Sequence, residues 1–211
     1  MNTKDKTKAI VILGMLTAIE VLFSFTAIGS IPVGPLVITL NTIPLAIGAI
    51  ALGPVGGLVM GSIFGLLSFL QCLSIGVPSG MGIILFDINP FLAFVQRFVP
   101  RALDGLLVGL LHRALEKKIG GKTTSFVSGF SAAFLNTALF MSALVLLFGN
   151  TDYMQEKING QNILVFICTF VGLNAVVEML LTTVVCGAVG TALYQAHFLP
   201  MSNVQSKRKE A

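Results

Sequence analysis

Charge is what this sequence has least of. Lys, Arg, Asp and Glu together make up 10% of the 211 residues, against roughly 25% in a soluble globular chain. So few charges cannot coat a surface that faces water. With 55% apolar residues and a mean hydropathy of +0.93, the chain reads as an all-α integral membrane protein, and a nucleic-acid binder, a secreted disulfide scaffold and a disordered chain are all excluded. The net charge of +4 then reports on topology rather than on an acidic partner. Cysteine is also scarce: Cys72, Cys168 and Cys186 lie at irregular spacing inside apolar runs and read as buried free thiols. His112 and His197 stand isolated at helix ends, with no HExxH, no His/Cys cluster and no nucleophile elbow. No enzyme active site, metal or cofactor is therefore expected. Internal duplication of the kind that builds secondary transporters is missing as well.

What is present is a series of long apolar runs. A spanning helix needs about 20 mostly apolar residues to cross a hydrocarbon core about 30 Å thick. On that measure one membrane domain, 1–211, holds six spans, at about 8–25, 37–52, 55–73, 90–112, 123–148 and 161–194. The second is short and carries Asn41 and Pro44, but the basic residues require it. With six spans, Lys4, Lys6, Lys8, Arg113, Lys117, Lys118, Lys122, Lys207, Arg208 and Lys209 share one side, and only Lys157 lies on the other. The positive-inside rule then places both termini in the cytoplasm.

Two of the outer connections, Thr26–Leu36 and Ser74–Asn89, are rich in Gly and Pro yet apolar. They would not rest in bulk water, and they are expected either to fold back over the bundle as a lid or to sit half-sunk in the interface. The connection Gly149–Gly160 is polar.

Charges at the centre of a span cost about 2.5 to 3.5 kcal/mol each on insertion scales, so each needs a reason. The fourth span carries Gln96, Arg97, Arg101 and Asp104 around Pro100. Arg97 lies about 10 Å and Asp104 about 21 Å from the outer end of that helix, and Arg97, Arg101 and Asp104 share one face. Arg101 and Asp104 can neutralise each other as an internal packing pair. Arg97, whose nearest charged neighbour in the helix is the like-charged Arg101, is a fork for an anionic ligand such as a carboxylate. Asn136 near the middle of the fifth span and Asn174 in the sixth, close to the level of Arg97 and Arg101, are each either an interhelical fastener or part of the same pocket; Glu178 shares a face with Asn174 and lies deeper. Glu178 can also pair with Arg101, and Glu20 either lines this cavity or reaches the interface.

Small residues form two smooth faces: Gly14 with Ala18 in the first span, and Gly57, Gly61 and Gly65 in the third. Such stripes serve internal packing or docking onto a second membrane subunit. The tract Gly120-Gly121-Lys122-Thr123 imitates the end of a Walker loop, but Glu116 stands where its first glycine belongs and no strand precedes it. A bundle of this size with no repeat and no ATPase is one part of a larger machine.

The block Ile31-Pro32-Val33-Gly34-Pro35, then Ile38-Thr39-Leu40, Pro44, Gly53-Pro54-Val55-Gly56-Gly57, Gly61 and Gly65 resembles the substrate-binding S-components of energy-coupling factor (ECF) vitamin transporters. The resemblance extends over almost the whole chain and is greatest to the pantothenate-type members. It implies a bacterial cell-membrane protein that binds a vitamin from outside and topples within the bilayer with a transmembrane coupling subunit. Two cytoplasmic ATPases would supply the work. It also implies a pocket built from the outer loops and the last three helices, which hold Gln96, Arg97, Arg101, Asn136, Asn174 and Glu178. Coupling-subunit contact would run over Gly14, Ala18, Gly57, Gly61 and Gly65. Several family members stack aromatic vitamins on Trp, and this chain has none, which favours a non-aromatic, mono-anionic ligand such as pantothenate. The alternatives are another vitamin, pyridoxine-like or a similar small polar compound, and an assembly protein with no ligand.

Overall fold

The computed structural model describes residues 3–26, 29–33, 36–160, 163–196 and 198–199. Gly34, Pro35, His197 and the cluster Lys207, Arg208 and Lys209 lie outside them, as does the side chain of Cys168. The apolar runs become helices: α1 (Thr3–Phe25), α2 (Thr42–Leu70), α3 (Gly80–Ile88), α4 (Pro90–Ile119), α5 (Gly121–Phe148), α6 (Asp152–Ile158) and α7 (Ile163–Gln195). Between α1 and α2 the chain forms an antiparallel hairpin, β1 (Ser30–Val33) and β2 (Leu36–Thr39), which pairs Ser30 with Thr39 and Val33 with Leu36. Among the described residues, four stretches are long and apolar enough to cross a bilayer: Lys6–Phe25, Thr42–Leu73, Gly121–Phe148 and Asn174–Gln195. The chain is a multi-pass, predominantly helical membrane protein.

α2 is not one rod. At Gly53 the backbone takes φ 72° and ψ −159°, a conformation that only glycine reaches without strain. Pro54 follows, where a helical first turn needs no N–H. The legs on either side fold back on each other. A Cβ on Gly48 would fall 2.6 Å from the Met60 side chain, and one on Gly57 would fall 3.0 Å from the Ala49 Cβ, yet in a straight helix residues eight apart are separated by about 12 Å. The sequence-predicted break at Gly53-Pro54 is thus a tight helical hairpin.

The predicted second span, 37–52, needs correction. Val37, Ile38 and Thr39 are strand, and helix begins only at Thr42. The β-branched run prefers the pleated backbone, and hydropathy alone cannot tell a strand from a helix. Likewise, the connection Ser74–Asn89 contains α3, capped by Ser79, whose Oγ accepts the Gly82 N–H. The polar connection Gly149–Gly160 contains α6.

Contacts along the helices fix their directions. The second leg of α2 runs antiparallel to α4, Pro54 against Gly109, Gly57 against Gly105, Gly61 against Arg101 and Gly65 against Phe98. α5 runs antiparallel to α7, Gly121 against Tyr194 and Gly129 against Thr182 and Cys186. One end of the bundle gathers Thr7, Lys8, Ala51, Leu193 and Phe198, with the Lys8 ammonium donating to the Phe198 carbonyl at 3.1 Å. The other end gathers the 3-10 turn Gln71–Leu73 and the start of α3 over Ser24, whose carbonyl accepts the Gln71 side-chain amide at 3.1 Å and the Val77 N–H at 3.3 Å. An apolar core of Leu45, Met60, Phe64, Val108, Ala132 and Cys186 fills one half of the bundle. A second core, Met81, Leu85, Met141, Leu144, Phe148 and Met154, joins α3, α5 and α6 in the other.

Candidate ligand-binding site

Between α4, α5 and α7 lies a set of buried polar side chains. Arg97 sits just below α3. Its Nη2 donates to the Ser79 Oγ at 3.1 Å and its Nη1 to the Ser68 Oγ at 3.5 Å, while Nε has no protein partner. Gly82 leaves room for this approach, since a Cβ there would fall 2.8 Å from Nη2. The guanidinium therefore meets hydroxyls, the Cys72 thiol and the positive end of the α3 dipole. Among the described residues no carboxylate hydrogen-bonds it.

Arg101, one turn further along, is held in another way. Its Nη1 donates to the Arg97 carbonyl at 2.9 Å, and its guanidinium lies between two aromatic faces, Phe64 at 4.5 Å and Phe140 at 4.9 Å. Cation–π contact of this kind stabilises a desolvated cation by about 2 kcal/mol. Phe140 also faces Arg97, at 5.1 Å. Aromatic faces thus shield both cations where a carboxylate was the obvious partner.

The pairing of Arg101 with Asp104 expected as a packing device is not a hydrogen-bonded one. Asp104 is fully buried and neither of its carboxylate oxygens has a partner in the protein. Glu178 does not hydrogen-bond Arg101 either; its Oε1 accepts the backbone N–H of Thr39 at 2.7 Å. That bond anchors the β hairpin to α7 and brings the first outer connection down against the polar cluster. Gln96 is fully buried with both amide atoms unpartnered, and Asn136 is buried with its Oδ1 unpartnered. Asn174 is half-buried.

Levels within the bundle follow from the contacts. His112 on α4 touches Ser128 on α5 at 2.8 Å. Two turns outward along both antiparallel helices, about 12 Å, bring Asp104 level with Asn136. About two turns from the contact of Gly129 with Cys186, along the antiparallel pair α5 and α7, Asn136 comes close to the level of Glu178. Arg101, Phe140 and Asn174 form the next layer outward, then Arg97. Along α4 the unpartnered guanidinium N–H groups of Arg97 and Arg101 come first, with both atoms of the Gln96 amide beside them, and the unpartnered oxygens of Asp104 and Asn136 follow. An unpartnered buried polar group costs about 1–3 kcal/mol, more when charged, so this density of them marks a place built to be completed by something else.

Other residues fall elsewhere. Glu20 is fully buried on the α1 face that carries Leu16 and Ser24, so it does not reach the interface, and both its oxygens lack partners. Ser24, one turn on, accepts from the Asn41 side chain at 2.7 Å. Gly57, Gly61 and Gly65 do not present a free face. A side chain at Gly57 would collide with the Gly105 carbonyl, one at Gly61 with the Arg101 carbonyl, and one at Gly65 would come within 2.8 Å of the Phe98 backbone. This stripe is already covered by α4, so it serves internal packing and is corrected as a surface for another subunit. Gly14 and Ala18, by contrast, are exposed, and a side chain at Gly14 would meet nothing within 4 Å. His112 is not isolated. It is buried, with Nδ1 against Ser128 and Nε2 3.1 Å from the Tyr194 hydroxyl, which donates to Glu116 at 2.9 Å. Asp104 and the Thr39 bond are what sequence reasoning missed. A lone carboxylate in an apolar helix was visible; that it lacked a partner was not.

Comparison with known proteins agrees with this architecture. Residues 8–190 match the family described as ECF transporter, substrate-specific component. The chain is similar to the pantothenate transporter PanT of Leuconostoc mesenteroides subsp. mesenteroides, 31% identical over 90% of this chain and 94% of that protein. It is also similar to the pantothenic acid transporter PanT of Lactococcus lactis subsp. cremoris, 25% identical over 92% of this chain and 97% of that protein. Family match, apolar helices and a buried polar cluster agree, and the chain belongs to the substrate-specific components of ECF transporters.

Proposed function

We propose that this protein captures pantothenate from outside the cell and hands it inward as the binding subunit of an ATP-driven ECF transporter. The reading rests on the buried cluster of unpartnered donors and acceptors around Arg97, together with the two PanT relatives. Pantothenate carries one carboxylate, one amide and two hydroxyls. Its carboxylate suits the Arg97 guanidinium, the amide side chains of Gln96 and Asn174 suit its polar middle, and Asn136 lies further along the cluster toward its hydroxyls; Arg101 and Glu178 complete the walls. A role as packing fasteners alone is disfavoured, because a fastener has its partner and Gln96 and Asp104 do not.

The whole chain acts as one membrane domain with six crossings and both termini in the cytoplasm of a bacterial cell. The fold-back at Gly53 supports the count, as does the meeting of Lys8 with Phe198 at the end that also holds Arg113 near Gly53. The coupling subunit docks on α1, where Gly14 and Ala18 lie open beside an apolar groove of about 740 Å³ lined by Val11, Met15, Ile47 and Val189. ATP hydrolysis resides in two partner ATPases.

The test is calorimetry with pantothenate on Arg97→Ala. Loss of a charge-assisted bidentate contact weakens binding by roughly 100-fold. Undiminished affinity overturns the carboxylate clamp.

A further inference from the structure

The polar cluster has a direction, and Asp104 stands at one end of it with no hydrogen-bond partner in the protein. It is fully buried, it donates nothing, and its two oxygens accept nothing from the protein. Arg101, three residues away, turns its Nη1 to the Arg97 carbonyl instead. Level with Asp104 on α5, Asn136 also offers an unpartnered Oδ1. Two turns outward on the same face of α4, about 10 Å away, stands Arg97 with an unpartnered Nε. The unpartnered atoms at the Asp104 end are acceptors, and those around Arg97 and Arg101 are guanidinium N–H donors beside the Gln96 amide, which offers both.

A ligand that satisfies such a cluster is charged in the opposite order: anionic acceptor at one end, hydroxyl donors at the other, separated by about 10 Å of extended chain. We infer that Asp104, with Asn136, receives the hydroxyl-bearing end of a carboxylate–amide–diol ligand and sets its orientation, carboxylate outward and hydroxyls inward. This rests on the pantothenate reading above and adds to it a specificity-determining residue. The chemistry is selective because a site built to accept O–H groups rejects an analogue without them: the buried oxygens are then left unpaired.

Calorimetry with two ligands tests this: pantothenate, and N-(3,3-dimethylbutanoyl)-β-alanine, which keeps carboxylate and amide but lacks both hydroxyls. Wild-type protein binds the hydroxyl-free ligand roughly 10- to 100-fold more weakly. Asp104→Asn weakens pantothenate binding by a similar factor and leaves the hydroxyl-free ligand unchanged, whereas Arg97→Ala weakens both ligands alike. Equal loss of both ligands in Asp104→Asn, or loss of neither, overturns the assignment while the pantothenate reading stands. Wild-type protein that binds neither ligand overturns both. Should Asp104→Asn not yield folded protein, Asn136→Ala serves in its place: selective loss of pantothenate supports the inference and non-selective loss overturns it.

Discussion

Each charged side chain inside this bundle solves the same problem, removal from water, by different means. Arg101 is wedged between Phe64 and Phe140 and bonded to a backbone carbonyl. Arg97 uses two serine hydroxyls, and Glu178 takes a backbone N–H from the hairpin. The Glu178 bond can be tested separately, because Gln retains an acceptor oxygen and Ala does not. Glu178→Ala is expected to raise the dissociation rate of bound pantothenate by about 10-fold as the hairpin loses its tie, and Glu178→Gln to restore most of the wild-type rate. Stopped-flow displacement of the ligand measures both; equal rates in the two variants would sink the idea. At this scale the sequence was partly legible. Arg97, Arg101 and Glu178 stand out as charges in apolar runs, and their depths follow from helical rise alone. For Asp104, a spacing of three suggests a hydrogen-bonded ion pair with Arg101, and the structure has the two charges interacting without that bond. Only side-chain packing, which two phenylalanines from other helices impose, turns Arg101 elsewhere.

Among the elements, the pairing of α2 with α4 depends on backbone approaching backbone. Gly57, Gly61 and Gly65 let the two helices meet at carbonyl contact. Gly61→Val forces a branched side chain into the Arg101 carbonyl and costs about 3 kcal/mol or more. It is expected to lower the thermal unfolding midpoint in detergent by several degrees, and to weaken ligand binding because it displaces the turn that carries Arg101. A midpoint like that of the wild type would mean that the helices are not in this contact. The glycine spacing is plain in the sequence, but which surface covers it is not. An inward stripe and a docking stripe look alike until the neighbouring helix is in place. The β hairpin was illegible for another reason: residues 36–39 and 42–52 form one apolar stretch, so hydropathy runs through the change of backbone geometry without a mark.

For the whole molecule, the proposed ligand site and the proposed docking face fall on separate surfaces. The polar cluster lies among α4, α5 and α7, while Gly14 and Ala18 lie on the exposed face of α1 beside Val11 and Met15. Sites this far apart with no shared partners act independently. Gly14→Leu combined with Ala18→Leu is therefore expected to leave pantothenate affinity within about twofold of wild type and to reduce uptake in cells to near background. Parallel calorimetry and radiolabelled uptake read the two effects. A matching fall in affinity would show that α1 also shapes the pocket. The number of apolar runs and the family resemblance could be read without coordinates, whereas the division of labour between the faces required knowing which small residues were already covered.

The hairpin between α1 and α2 carries a consequence for its own backbone pairing. Polypeptide at bilayer depth must keep its amides paired, and an unwinding helix would expose a run of them to lipid. A two-stranded flap brings its own ladder of bonds wherever it goes. The Thr39–Glu178 bond ties this ribbon to α7, and loss of that bond would leave the ladder between β1 and β2 intact.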